Sequence, residues 1–433
     1  MMGRVLWMIV GALTVAAPVS AQVMLCTGGM PSEGFSLSDG PIITAQCTLD
    51  AATDGTILVI ASTTVYRVDT DYAQIRMRVS LDQPNGPGLV TSERVHDVYG
   101  TTYLETQTSL STAAIPVVAG SHTLYYLAER MVGSASVVLY RPRVMAIFIP
   151  FLETNIRLCE GRIFGEFTTT VASQTFVTSC SLANLGMGSA LVVSDAWMRL
   201  ADTGAELNAD LLIGAPPVLA IGSERRLDVV GDLVYDGLDT SLATSYLANL
   251  GPGTAYFYLT AGRSSGGGTV SLNYPGVVAL WAATGGPVLA NGAVLSTDWT
   301  TTSVAQQTIL QTTLNPAVDG YFLILATASV APDSADYHAH FMARVDLGDD
   351  IANRYIKISD DIDRNLALSD LVPVQAGNHT IKLSGGRFDT PATTNLRVRD
   401  ASLSVLFFPK DMVAIFGGNF EIGSARRWSA SVP

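Results

Sequence analysis

Three short stretches carry residue types that could perform chemistry. The first, Gly262–Gly266, matches the Gly-x-Ser-x-Gly pattern in which a sharp turn exposes a serine nucleophile. That chemistry needs a strand-to-helix turn and a histidine partner. Here more glycines follow the motif, and residues 151–283 contain no histidine. We therefore predict a hairpin loop between two strands, without a catalytic serine, and classify the chain as a non-enzyme.

The second stretch contains two histidines, His338 and His340, in a His-x-His motif. On a strand this spacing places both imidazoles on one face, as in jelly-roll metal enzymes. A carboxylate should follow a few residues later, but Arg344 and Val345 occupy its place. We favour a polar outer face, with a metal site as the alternative.

The third stretch is acidic. After Asp360, the residues Asp361, Asp363 and Asn365 present oxygen ligands at alternate positions, like the opening of a calcium loop. It lacks the glycine expected at the sixth place and the acid expected at the twelfth, where Leu366 and Val372 stand. We predict a solvated acidic turn and no cofactor. Calcium held by an irregular loop is the alternative.

Other polar residues recur along the chain at equal spacing. Arg130, Arg263 and Arg387 each follow a glycine by ten residues. We interpret these arginines as structural pairs with a nearby carboxylate, and ligand binding as the alternative. His122 and His379 recur at the starts of two strands, where a hydrogen-bonding role is the simplest interpretation.

The four cysteines form two pairs with the same internal spacing, Cys26 with Cys47 and Cys159 with Cys180. The interval between the pairs equals that between Gly120 and Gly253. The corresponding positions further on are Asn291 and Thr312 or Thr313, so both cysteines are absent there together. No Cys-x-x-Cys redox motif occurs. We therefore predict two structural disulfides, each within one repeat.

These residues sit in a repeat that occurs three times. Ala119–Pro150 and Ala376–Pro409 both begin with Ala-Gly, continue through His-Thr and end in an apolar stretch before proline. A weaker copy lies between them, with the apolar run Val277–Trp281 and Ala255 in place of the histidine. The spacing predicts three units of ordinary domain size.

The elements that position these residues are short apolar segments separated by Gly, Pro, Asn and Asp, which is typical of strands. No long amphipathic helix is visible. We predict an all-β chain of three tandem jelly-roll-like β-sandwich domains after a signal peptide. The boundaries are 1–21 for the signal peptide, 22–150, 151–283 and 284–410 for the sandwiches, and 411–433 for a C-terminal tail or added edge strand.

The units resemble the jelly-roll family of tumour necrosis factor and the complement globular head. The likeness lies in the Gly-Tyr-aromatic start of a strand at Gly320, in the Ala-Gly strand starts at Ala119 and Ala376, and in the closing apolar strand Leu403–Phe408. The resemblance implies binding or self-assembly. Because relatives of this fold work as trimers, it also raises a compact pseudo-trimer within one chain as the alternative to a row of domains.

Export is predicted by the first 21 residues, which combine Arg4, the apolar core Val5–Ala17 and a small-residue cleavage site, Val19–Ala21. We expect a secreted protein, located outside the cell, on its surface or in the periplasm. The net charge of −13 argues against nucleic-acid and anionic-membrane partners.

A structural, adhesive or interaction protein of the cell exterior best explains export, repetition and disulfides, with envelope proteins or glycans as partners. The alternative is a lectin-like carbohydrate-binding protein, with or without calcium. Carbohydrate binding would require exposed aromatic platforms. Tyr125 and Tyr258, at equivalent outer-face positions, are the candidates.

Overall fold

The structure is a computed structural model that describes residues 22–29, 35–37, 40–69, 71–84, 86, 88–89, 92–98, 106–200, 206–214, 216–220, 223–228, 239–266, 268–332, 337–346, 348, 352–358, 364–387 and 395–415. The predicted signal peptide lies outside these residues. Apart from a 3₁₀ turn at Ser92, all regular secondary structure within them is β-strand. They include no helix long and apolar enough to span a bilayer.

The described strands fall into three sandwiches and a short C-terminal addition. The first sandwich contains β1 (Val23–Gly29), β2 (Phe35–Ser36), β3 (Ile42–Ala51), β4 (Gly55–Arg67), β5 (Ala73–Leu81), β6 (Arg94–Val98), β7 (Thr106–Val117), β8 (Gly120–Gly133) and β9 (Val137–Pro150). The second contains β10 (Ile156–Arg162), β11 (Glu166–Thr169), β12 (Thr175–Leu185), β13 (Gly188–Leu200), β14 (Glu206–Ile213), β15 (Val218–Leu219), β16 (Arg225–Asp228), β17 (Asp239–Leu250), β18 (Gly253–Ser265) and β19 (Val270–Ala283). The third contains β20 (Leu289–Val294), β21 (Trp299–Thr301), β22 (Gln307–Leu314), β23 (Gly320–Pro332), β24 (Tyr337–Val345), β25 (Ala352–Ile358), β26 (Arg364–Val374), β27 (His379–Arg387) and β28 (Leu396–Pro409), and β29 (Val413–Ile415) follows it.

Each sandwich consists of an inner and an outer antiparallel sheet. The inner sheets have the strand orders β1-β9-β4-β7, β10-β19-β13-β17 and β20-β28-β23-β26. The outer sheets have the orders β3-β8-β5-β6, β12-β18-β14-β15 and β22-β27-β24-β25. The chain passes repeatedly between the two sheets, which is the interleaved topology of a jelly roll. The predicted all-β fold of three jelly-roll sandwiches is confirmed.

Side chains that alternate along the strands fill a separate core within each sandwich. In β8, His122, Leu124 and Tyr126 face this core, and the leucine and tyrosine have no exposed surface. In β24, Ala339 and Phe341 are fully buried. The residues that alternate with them, His338 and His340, therefore face away from the core.

A fourth apolar cluster, here called the central core, lies where the three inner sheets meet. Leu58, Leu191 and Leu323 occupy equivalent places in β4, β13 and β23, and each is 1% exposed. Their antiparallel neighbours in the same sheets also belong to the central core: Ile147, Leu280 and Leu406.

The central core explains why the inner strands carry consecutive apolar residues, such as Val144–Ile149 and Val277–Trp281. A sheet with one face in water alternates apolar and polar residues, whereas a sheet covered on both faces does not. Each inner sheet packs its own sandwich core on one face and the central core on the other. Of the two arrangements considered from the sequence, the structure therefore has the compact pseudo-trimer and not the row of domains.

The C-terminal tail adds an edge strand. β29 pairs in parallel with β1, placing Val413 beside Val23 and Ile415 beside Leu25. The chain thus returns from the third sandwich to the inner sheet of the first. A C-terminal tail or an added edge strand was predicted, and Val413–Ile415 form an edge strand.

The Gly262–Gly266 segment differs from the predicted hairpin. Its first four residues end β18 in an outer sheet, while the next strand, β19, belongs to the inner sheet of the same sandwich. The turn therefore crosses from one sheet to the other and closes no hairpin. Ser264 donates a hydrogen bond from Oγ to the carbonyl of Glu206 at 3.3 Å.

Both predicted disulfides are present, and each ties an inner sheet to an outer sheet. Cys26 in β1 bonds Cys47 in β3, and Cys159 in β10 bonds Cys180 in β12. In the third sandwich a hydrogen bond takes their place, because Asn291 Nδ2 in β20 donates to the carbonyl of Thr313 in β22 at 2.8 Å. The same two strands are thus linked in all three sandwiches.

We expect the double variant Cys26→Ser/Cys47→Ser to lower the free energy of unfolding by about 3 kcal/mol, since the bond closes a loop of 21 residues in the unfolded chain. Because the central core joins the sandwiches, the loss should move one common transition. Urea unfolding followed by circular dichroism measures it, with Asn291→Ala as a milder comparison. A transition that splits, with only part of the signal shifted, would contradict the shared core.

Candidate functional site

The predicted metal ligands do not come together in the described residues. Asp360, Asp361 and Asp363 lie outside them. His340 is held by protein groups at both ring nitrogens: Nδ1 lies 3.1 Å from Gln306 Nε2, and Nε2 contacts Asn353 Oδ1. Its ring also stacks on Tyr355 at 4.4 Å. Within the described part of the chain, no group of three His, Cys, Asp or Glu side chains is arranged to hold a metal ion.

The recurring arginines tie down loops. Arg130 Nη1 donates to the carbonyl of Ala135 at 3.0 Å, and Arg263 Nη1 donates to that of Gly268 at 2.8 Å. Arg387 is buried, and its backbone N–H donates to the carbonyl of Ser303. The contact shared by the first two copies is thus to a backbone carbonyl five residues later. Pairing of these arginines with a carboxylate stays a prediction.

The recurring histidines form a contact here called the His–Asp clasp. His122 Nδ1 lies 2.9 Å from Asp82 Oδ2, and its Nε2 lies 2.9 Å from the carbonyl of Val118. The other oxygen of Asp82 accepts from the N–H of Thr123 at 2.7 Å. Asp82 has a φ of 59°, in the left-handed region, where its carboxylate can reach back to the strand.

The third sandwich repeats the clasp atom for atom. His379 Nδ1 lies 2.7 Å from Asp346 Oδ2 and its Nε2 lies 2.8 Å from the carbonyl of Gln375, while Thr380 N–H donates to Asp346 Oδ1. Asp346 also has a positive φ, of 56°. Partial burial opposes ionisation of Asp346, but the bonds from Thr380 and His379 outweigh it and lower its pKa. Both histidines are therefore structural.

The largest set of buried polar contacts lies at the three junctions between sandwiches. Each junction receives one fully buried arginine from the preceding sandwich, and we call Arg94, Arg225 and Arg354 the junction arginines. Arg94 contacts Asp195, Arg225 Nη2 donates to the carbonyl of Thr327 at 3.0 Å, and Arg354 Nη2 donates to Ser62 Oγ at 2.9 Å. The direction is cyclic: first sandwich to second, second to third, and third back to first.

The receiving residues occupy one equivalent position. Ser62, Asp195 and Thr327 each stand seven residues after the glycine that begins β4, β13 or β23, and none has exposed surface. A hydroxyl from the preceding sandwich supports each of them: Thr112 Oγ1 to Asp195 at 2.8 Å, Ser245 Oγ to Thr327 Oγ1 at 3.1 Å, and Ser369 Oγ to Ser62 Oγ at 2.8 Å. The junctions are thus three versions of one contact around a pseudo-threefold axis.

The first junction differs in carrying a buried ionic network. Asp195 accepts from the backbone N–H of Thr112 at 2.6 Å and pairs with Arg162 Nη2 at 3.2 Å as well as with Arg94. One carboxylate therefore faces two guanidinium groups. Burial favours loss of the proton from Arg162, but Asp195 and Glu160 outweigh it and raise its pKa.

The other two junctions place the arginine against hydroxyl and carbonyl oxygens. Burial lowers the pKa of Arg225 and of Arg354 to about 10 in each case. Both side chains are still cationic at neutral pH. Near Arg225, burial together with Glu224 and Asp400 raises the pKa of Asp210 to about 7.

The junction arginines were not predicted from the sequence, although a signal existed. Arg94 and Arg225 both end a Ser-Glu-Arg triplet, and the two triplets are separated by nearly one repeat length. The serine of each triplet folds the same turn: Ser92 Oγ accepts from Val79 N–H, and Ser223 Oγ accepts from Leu211 N–H. The third copy keeps only the arginine, Arg354, which weakens the pattern.

One predicted ligand candidate joins other aromatic residues at the surface. Tyr258 lies on the outer face of β18, with its ring 5.3 Å from that of Phe176 and 6.3 Å from that of Tyr256. We call these three residues the aromatic strip. Tyr125 holds the equivalent position in β8 of the first sandwich, where it is half-buried and pairs with Ser80 of β5.

No family model and no curated protein matches the chain. Solved structures are similar at very low identity. A structure of Sulfolobus turreted icosahedral virus is 10% identical, with 88% of this chain and 89% of that chain covered and a TM-score of 0.18. An archaeal-virus structure described by its triple jelly roll fold and turret assembly is 9% identical, with 91% and 92% covered and a TM-score of 0.18. The infectious bursal disease virus Gt strain structure is 9% identical, with 90% and 82% covered and a TM-score of 0.23.

These TM-scores are too low to bear on function, and the jelly-roll assignment stands on the strand order alone. The predicted resemblance to tumour necrosis factor and the complement globular head gains no support from them at the level of family.

We expect Asp195→Asn to lower the free energy of unfolding by about 3–5 kcal/mol, because Arg94 and Arg162 would keep their buried charges without a carboxylate. The matched control is Asp298→Asn, which breaks the exposed pair with Arg397 and should cost at most about 1 kcal/mol. Chemical denaturation of both variants measures the difference. Equal small losses would show that the first junction does not depend on its ionic network.

We expect the His–Asp clasp to make stability depend on pH. Partial burial opposes protonation of His122, but its bonds to Val118 and Asp82 outweigh this and raise the pKa above 6.5. The stabilisation is therefore complete below 6.5 and is lost as pH rises through the folded-state pKa. We expect the free energies of unfolding of wild type and His122→Gln, measured above and below pH 6.5, to converge at high pH.

Asp210 changes stability in the same direction, since its raised pKa means that the folded state holds a proton up to about pH 7. Asp210 is present in both wild type and His122→Gln, so its contribution cancels in the difference between their free energies of unfolding. A difference that is constant with pH would contradict protonation of the clasp.

Proposed function

We propose that this chain is an exported, non-catalytic structural protein that acts as a rigid three-part body and assembles with further copies of itself. The observation that carries the proposal is the cyclic set of junctions around the central core, which makes one body from three repeats. Disulfides at two of the three sandwiches fit an oxidising compartment. The cell surface and the periplasm are the environments we propose.

The polar residues that could have performed chemistry support a structural role. The clasp histidines, His340 and the loop arginines are all engaged by protein groups. A pocket of about 220 Å³ between the second and third sandwiches is lined mainly by small apolar residues, and its Ser189 hydroxyl is bonded to Asn249. Nothing in that lining supplies an acid or a base for a nucleophile.

One end of the body exposes apolar side chains, and we propose that it contacts a second copy. β4, β13 and β23 all begin at this end, and loops there expose Leu152 at 81%, Val118 at 67% and Met187 at 65%. The link that carries Leu152 runs between Ile149 and Ile156, which belong to the central core, so the exposed surface continues an established interface. Self-complementary apolar surfaces of this kind favour symmetric association.

We expect the sedimentation coefficient of the mature chain to rise with concentration across the micromolar range, because these side chains would leave water on association. The double variant Leu152→Ser/Met187→Ser should sediment as a monomer throughout. Phe164→Ser is the matched control, since it removes a ring that is 80% exposed elsewhere on the second sandwich. It should assemble like wild type.

A wild-type chain that stays monomeric would overturn self-assembly. Assembly that persists in the double variant would exclude this end as the contact surface. Adhesion to an envelope protein is a separate outcome, seen as co-sedimentation of the monomeric chain with purified envelope material.

A further inference from the structure

The aromatic strip is the most exposed group of rings in contact with one another on the described surface. Phe176 in β12 is 59% exposed and Tyr256 in β18 is 37% exposed, with Tyr258 half-buried between them. All three stand on the outer face of the outer sheet of the second sandwich, because the residues that alternate with them, such as Phe257 and Leu259, are fully buried in the core. Rings on this face meet solvent.

Hydroxyl groups lie beside the rings on the same face. Ser181 pairs with Tyr256 across the β12–β18 register, and Ser179 pairs with Tyr258. Both serines are exposed. Within the described part of the chain, neither serine side chain is hydrogen-bonded to the protein, and the same holds for the two phenol groups. The strip therefore combines apolar ring faces with four hydroxyls that are open to a ligand.

The three copies can be compared position by position, and only the second carries the strip. The residues equivalent to Tyr256 are Thr123 in the first sandwich and Thr380 in the third. Both threonines donate a backbone N–H to a clasp aspartate. The residue equivalent to Phe176 is Ile43 in the first sandwich and Thr308 in the third. In the second sandwich Ala255 replaces the clasp histidine. This copy thus has exposed rings where its neighbours have a structural clasp.

We propose that the aromatic strip binds a neutral polysaccharide. A sugar ring presents C–H groups on its faces and hydroxyls at its edge, which match aromatic faces flanked by serine and tyrosine hydroxyls. The strip itself carries no charged side chain, and the chain as a whole has a net charge of −13, which repels anionic polysaccharides. The rings of Tyr256 and Tyr258 are nearly parallel, at 13°, and that of Phe176 is tilted by 52° to Tyr258. An open row of rings across two neighbouring strands suits an extended ligand better than an enclosed small molecule.

The site is separate from the apolar end proposed for assembly. The strip lies on the outer sheet, with Phe176 near the start of β12 and Tyr256 and Tyr258 in the first half of β18, whereas the end is formed by loops that precede β13 and follow β9. The two proposals can therefore fail independently. A monomeric chain could still bind polysaccharide, and an assembled one could fail to bind it.

The test is affinity electrophoresis of the mature chain in native gels that contain hydroxyethyl cellulose, laminarin, galactomannan or dextran. We expect at least one of these neutral polymers to retard the wild type, and Tyr256→Ala and Phe176→Ala to weaken binding about tenfold or more. Tyr258→Phe separates the ring from its hydroxyl. Phe164→Ala and Tyr125→Ala are matched controls that should bind like wild type.

Thermal unfolding of each variant shows whether a loss of retardation reflects a loss of fold. No retardation by any of the four polymers would overturn the proposal, and so would retardation that survives both alanine variants. Sedimentation of Tyr256→Ala as a monomer, where wild type self-associates, would show instead that a second copy covers the strip.

Discussion

Burial of both faces of the inner sheets is the constraint on which the rest of the structure depends. In each sandwich, the inner sheet has an apolar face that points away from its own sandwich core. This face must be covered, because a large apolar surface left in water leads to association or aggregation. Three such sheets cover each other when they meet around one axis. The apolar runs of β4, β13 and β23, the short links between sandwiches and the cyclic order of the junctions all follow from this single requirement.

Polar groups within such a core must find partners, which explains the junction arginines. The central strands carry Ser62, Asp195 and Thr327 at a depth where water does not reach. The preceding sandwich supplies a guanidinium and a hydroxyl to each of them. Where the receiving group is a carboxylate, a second arginine, Arg162, joins it, so that the first junction has more buried charge than the others. The group that receives the arginine is therefore a carboxylate at the first junction and a neutral hydroxyl at the other two.

The sequence allowed the all-β class, the repeat and both cysteine pairs to be predicted, because each of these is a local pattern. Equal spacing paired Cys26 with Cys47 and Cys159 with Cys180. The hairpin at Gly262–Gly266 was predicted wrongly, since nothing local shows that β18 and β19 belong to different sheets. The aspartate partners of His122 and His379 and the partners of the junction arginines also escaped prediction. The aspartates lie 40 and 33 residues from their histidines and are brought close by the fold of one sandwich. The partners of the junction arginines lie at least 101 residues away, and only the closed arrangement brings them within bonding distance. The aromatic strip was half predicted: Tyr258 was identified from its position, but Phe176 comes from another strand.

The pairing of β29 with β1 has a consequence for the order in which the molecule assembles. These strands come from opposite ends of the described chain, so the contact between Val23 and Val413 has almost the largest sequence separation available. Loop closure of that length is entropically unfavourable, and only three residue pairs offset it. We therefore expect the β29–β1 pairing to close after the sandwiches themselves have formed, and its amide protons to be among the first to exchange with solvent when the native protein opens locally.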